Sequence, residues 1–123
     1  MPPLSDIGRM KLVSELFLLA IKVDPVISVD KNNEAIMCLM EYGYSERDSE
    51  KLMDDAYKKL ERGIMRSDDQ TLSSVSTSFR RRDHIYVLKH VQRILERGEI
   101  NETVEAFFNK CVAVLYHEEL IQE

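Results

Sequence analysis

The stretch MKLVSELFLLAIKVDP, residues 10 to 25, limits what this chain can become more than any other part of it. Met10, Val13, Phe17 and Ala20 recur at helical spacing, and Leu12, Leu16 and Leu19 widen the same face. One neighbour cannot cover an apolar stripe that broad, so a central helix packed on more than one side is expected. Asp24-Pro25 ends it, because proline drives the residue before it out of the helical conformation. The predicted helix runs from about Ser5 to Val23. Its run LVSELFLLAI is about half the length a membrane span requires, and Glu15 interrupts it.

The rest of the chain repeats the helical period and shows no sustained strand alternation. Asp30 to Tyr42 puts Ala35, Ile36, Leu39 and Met40 inward, with Gly43 suited to the left-handed turn just beyond. Ser45 with Asp48 approximates a capping box before a helix from Glu46 to Arg62. That helix buries Leu52, Met53, Ala56, Tyr57 and Leu60, and Gly63 stops it. Its acidic start and basic end (Lys58, Lys59, Arg62) suit the helix dipole. From Thr71 to Ser78, six serines and threonines in eight residues compete for backbone hydrogen bonds. With Ser67 and Gln70 as a capping box and Leu72, Val75 and Phe79 on one face, a short, loosely held helix is expected there. Asp83 to Arg97 buries Ile85, Leu88, Val91, Ile94 and Leu95 and stops at Gly98. Asn101 caps a last helix carrying Val104, Phe107, Phe108, Cys111, Val112 and Leu115, expected to reach toward Leu120. Six to seven helices with short turns make a compact all-α bundle. No linker divides residues 1 to 123, so one domain is expected.

Composition narrows the function. The formal net charge is −5, from 22 acidic and 17 basic residues, which disfavours a general nucleic-acid binder. Cys38 and Cys111 sit within apolar helical patterns without a CxxC partner, and read as buried thiols in a reducing compartment. MPPLSDIG has no leader pattern, so a cytoplasmic protein is expected.

Two corners of the chain look alike. AIKVDPVIS joins one apolar helix to the next, and RILERGEIN does the same later. Setting Ile27 against Ile100 aligns Asp24 with Arg97, Pro25 with Gly98, and Ser28 with Asn101. This predicts two pseudo-repeated helical hairpins, each with an isoleucine pinning its turn to the core. On Asp24, Ile27, Gly43, Ser45, Leu52 and Ala56, with Gly98-Glu99-Ile100 as a second corner, the chain resembles the TerB-like tellurite-resistance family. The likeness covers roughly residues 10 to 115. It implies a small all-α domain acting as an adaptor or sensor in stress and tellurite-resistance systems. The family pattern also carries corner acids. Here Pro25 replaces the first glycine and Lys31 stands in place of a glutamate, while Arg97 replaces an aspartate and Val104 another glutamate.

Several residues are candidates for a site. If an ion binds, Ca²⁺ or Mg²⁺ would use Asp24, Asp30, Glu34 and Glu99, supported by Asn32, Asn33 and Glu105. The plainer reading is a solvated helix start, with Asp30 capping and Glu34 favoured by the dipole; DPVISVDKNNEA has neither the spacing nor the glycine of an EF-hand. His84, His90 and His117 lack acid, Cys or His partners at the spacing that places two ligands on one helix face. No phosphate loop or serine elbow is present, and neither an enzyme nor a cofactor is expected. Arg80-Arg81-Arg82 falls where the dipole opposes cations, which makes it a candidate surface for an acidic protein partner, an anionic lipid head group or nucleic acid. Neutralisation by Asp83, Asp68 and Asp69 is the plainer alternative. Among the methionines, Met40 and Met53 read as core and Met65 as surface. The leading expectation is a non-enzymatic interaction module with protein partners. The alternatives are a divalent-ion sensor and a nucleic-acid regulator.

Overall fold

The computed structural model describes residues 7–25 and 28–118, and every regular element in them is a helix. In order these are α1 (Ile7–Lys22), α2 (Val29–Met40), α3 (Glu46–Glu61), α4 (Asp68–Ser78), α5 (Arg81–Leu95) and α6 (Glu102–Leu115). α1 packs against α2, α3, α4 and α5, as its broad apolar face requires. Met10 and the unbroken run Val13 to Ile21 are buried. A large apolar side chain taken fully out of water contributes roughly 1.5–3 kcal/mol, so α1 is the element on which the others assemble. α5 pairs with α6 and also reaches α1 and α2, while α4 bridges α1 and α6. Side chains from all six helices form one buried cluster.

The helix starts follow their capping residues. Ser45 accepts from the Asp48 amide, Asn101 accepts from the Val104 amide, and Ser67 with Gln70 makes a full reciprocal capping box. The α2 cap is Ser28, which accepts from the Lys31 amide, rather than Asp30, which is exposed. α5 begins at Arg81, not Asp83, and its cap residue Arg80 makes no side-chain cap bond. α6 ends at Leu115, where Tyr116 turns to an extended conformation; residues past Glu118 lie outside the described part. Gly43 and Gly63 take φ of +102° and +69°, the left-handed region that a side chain resists. α4 is held more firmly than its serines and threonines suggest, with Thr71, Leu72 and Val75 all buried.

Three packing expectations need correction. Ile100 does not pin its corner to the core: it is 53% exposed, and its proposed twin Ile27 lies outside the described residues. Met40 is 40% exposed rather than core, because the inward side of α2 is taken by Lys31, Glu34, Ala35, Cys38 and Leu39. Met65, expected at the surface, packs partly buried against the core.

Candidate functional site

The two corners meet. Lys31, on the first turn of α2, is completely buried, and its Nζ lies 2.6 Å from Asp24 Oδ2. It also donates to the Ala20 carbonyl at 3.0 Å, near the C-terminal end of α1. One ammonium thus answers a carboxylate and a helix-end carbonyl together. Gly98, from the connection between α5 and α6, closes over this pair. A Cβ there would stand 2.5 Å from Asp24 Oδ2 and 2.6 Å from Lys31 Cε. The glycine is required by this close approach and not by a left-handed turn.

Beside it runs a second, larger network. Glu34 is buried on α2, and Arg93 from α5 donates to its Oε2 through Nη2 at 2.6 Å and Nε at 3.1 Å. Arg97 Nε donates to Oε1 at 2.9 Å. Arg93 Nη1 also reaches Glu41 Oε2 at 2.5 Å. Burial alone would raise the Glu34 carboxyl, but hydrogen bonds and charge from the two guanidiniums outweigh it and hold the group below the ordinary carboxylate range. The neighbouring Cys38 thiol is pushed up to about 12, mainly by burial, and is a protonated spectator.

His90, buried on α5, continues the chain of polar contacts. Its Nε2 lies 3.3 Å from Glu41 Oε1 and its Nδ1 3.0 Å from the Tyr42 hydroxyl. A carboxylate only accepts, so Nε2–H donates to Glu41 while Nδ1 accepts from Tyr42. Burial holds His90 below the usual imidazole range, although Glu41 pulls it upward. His84 is also buried. Its Nε2–H donates to the Phe79 carbonyl at 3.0 Å and the Ser76 carbonyl at 3.1 Å, which leaves Nδ1 to accept from His117 Nε2 at 2.8 Å. The histidines therefore have partners, but from elsewhere in the chain rather than from their own helix faces.

Of the four carboxylates considered for an ion, Asp24 and Glu34 are engaged by Lys31 and by Arg93 with Arg97, while Asp30 and Glu99 are exposed. Among the described residues no group of three or more His, Cys, Asp or Glu side chains is placed to hold a metal ion. Lys31 neutralises Asp24, and Arg93 with Arg97 neutralises Glu34. Arg80, Arg81 and Arg82 are all exposed at the start of α5, and Asp69 lies 3.8 Å from Lys110.

A different feature offers itself to a partner. Between α5 and α6 lies a cavity of about 330 Å³, with Leu95, Val104 and Phe108 as its apolar lining and Ile100 at its edge. Glu96 and Glu105 line it, Glu99 and Glu102 flank it in sequence, and the cation of that stretch, Arg97, is tied to Glu34. Sequence reasoning assigned Ile100 to the core and so missed the groove. The available signal was an isoleucine set among glutamates in RGEINETVE. No helix among the described residues is long and apolar enough to cross a membrane. No family model, curated protein or solved structure matches the chain.

Proposed function

We propose that this chain is a non-enzymatic interaction module that docks a basic amphipathic helix of a protein partner in the α5–α6 groove. The observation that carries this reading is Ile100, a large apolar side chain more than half exposed beside a pocket and surrounded by glutamates. A pocket of this volume accepts a bulky apolar anchor, and anchors at helical spacing dock into such grooves. The acidic rim selects a partner with Lys or Arg flanking its anchors and speeds its approach. The reading fits the adaptor or sensor role within a stress-response or tellurite-resistance assembly that the TerB-like resemblance implies. It is favoured over the ion sensor because Asp24 and Glu34 are already matched by cations of the chain.

Titrating ¹⁵N-labelled protein with a Leu-Lys amphipathic helical peptide, and separately with its Leu-Glu counterpart, tests this. The basic peptide is expected to shift the amides of Leu95, Ile100, Val104 and Phe108. Ile100→Asp with Glu96→Lys should weaken it by about tenfold or more. Equal responses to both peptides, or shifts that ignore the substitutions, would overturn the assignment.

A further inference from the structure

A second cavity, of about 450 Å³, shares no lining residue with that groove. It opens between the first half of α1, the end of α3 and the outer side of α4. Its charge is one-sided: Arg9 and Lys11 come from α1, Lys59 from α3 and Arg66 from the connection after α3. Among the described residues that line it, the single carboxylate is Glu15, and Lys59 Nζ already sits 3.1 Å from its Oε2. The chain as a whole has more acids than bases, yet among the described residues lining this hollow Lys11, Lys59 and Arg66 stand against one carboxylate.

Two of these cations are held in place. Buried Glu15 anchors the Lys59 ammonium, which keeps further N–H donors to spare. Arg66 Nη1 donates to Ser74 Oγ at 2.8 Å, which leaves the rest of its fork and the Ser74 O–H to give. Ser78 adds another hydroxyl to the wall. Lys11 and Lys59 also border the neighbouring hollow lined by Asp55, and the hydrogen bonds to Glu15 and Ser74 make Lys59 and Arg66 the firmer pair. Held cations with spare donors suit an acceptor-only oxyanion, and guanidinium forks match phosphate geometry. The volume falls within the range of small-ligand sites, about 300–1,000 Å³. Among the described residues of the lining, Leu12 is the one large apolar side chain and none is aromatic, so none stacks on a base. A nucleotide is therefore a poorer fit than a compact anion bearing several phosphates.

We propose that this cavity binds a small, multiply phosphorylated anion, an inorganic polyphosphate or a phosphorylated polyol, through Lys59, Arg66 and Lys11. Calorimetry on the full chain at low salt tests it, with pyrophosphate and inositol hexakisphosphate as probes and sulfate as the ionic control. Saturable binding of at least one phosphate probe, tighter than sulfate and weakening with added salt, is expected. Tighter binding of pyrophosphate indicates the inorganic class, and tighter binding of the inositol probe the polyol. Lys11→Gln with Arg66→Gln, both at exposed positions, should weaken it by about tenfold or more while the melting curve stays cooperative. Ser74→Asp, which puts a carboxylate into the wall, should weaken it as strongly. Replacing Arg80, Arg81 and Arg82 together with glutamine should leave it unchanged. Absence of saturable heat with both phosphate probes would overturn the assignment. So would equal loss in the Arg80–Arg82 variant, which would mean that the anions follow general surface charge.

Discussion

The corner junction and the α1–α3–α4 cavity are both rich in charge, and they treat it in opposite ways. At the junction Asp24 is matched by Lys31, and Glu34 by Arg93 and Arg97. In the cavity, among the described residues, Lys11, Lys59 and Arg66 face one carboxylate that is itself already paired. The first is closed: its charges are answered by the chain, so what it yields is a fixed arrangement of helices. The second is open, and an open set of held cations is what an anionic ligand needs. Charged residues alone therefore do not mark a site. What separates the two is whether the fold has already supplied the counter-charge.

That contrast can be broken most severely at Lys31. Lys31→Met leaves Asp24 without its counter-charge under Gly98, and should cost about 3–5 kcal/mol in urea denaturation, the usual loss when one partner of a buried pair is removed. Lys31→Met combined with Asp24→Asn should recover part of that loss. A single variant as stable as the parent would show that the junction is not closed.

Acid gives an intermediate effect with two stages. His90, held low by burial, and His117, held low by burial together with Arg81 and His84, bind protons less readily folded than unfolded. The unfolded chain therefore takes up more protons below about pH 6.5, and stability falls as pH drops from there through the folded values. Glu34 and Glu41 are net lowered, burial being outweighed by their cationic partners. Their contribution is present above the usual carboxylate range and lost as pH falls through their folded values. Denaturation midpoints measured across this range should show both declines, and His90→Gln with His117→Gln should remove the upper one alone.

The smallest effect on stability belongs to the open region. Lys11→Gln with Arg66→Gln, without ligand, should change stability by no more than about 0.5 kcal/mol. A loss comparable to that of Lys31→Met would mean that these cations are structural after all, and would erase the contrast.

Much of the fold was legible because its signals are local. Ser45, Ser67 with Gln70, and Asn101 each bond an amide three residues on, so a short window of sequence contains both partners. The start of α5 was misplaced by two residues because Arg80 makes no such bond. The junction was half legible. Asp24 and Lys31 lie seven residues apart at one corner, but Glu34 meets Arg93 and Arg97 across 59 and 63 residues of chain. No periodicity reports a pairing at that separation. The same holds for His84 and His117, 33 residues apart, and for the cavity, whose cations arrive from α1, α3 and the connection after α3. Ile100 failed for another reason: an apolar residue in a turn carries no mark that tells a core anchor from a docking edge.

Gly98 sets a tolerance. It lies where the connection between α5 and α6 rests against the Asp24–Lys31 pair, whose lysine is completely buried. Bringing the halves apart by the width of one methyl group would admit a side chain there but would also open Lys31 to water. Bringing them closer would drive backbone into the pair. The contact thus works as a feeler gauge between the two corners, with backbone on one side and the Asp24–Lys31 pair on the other.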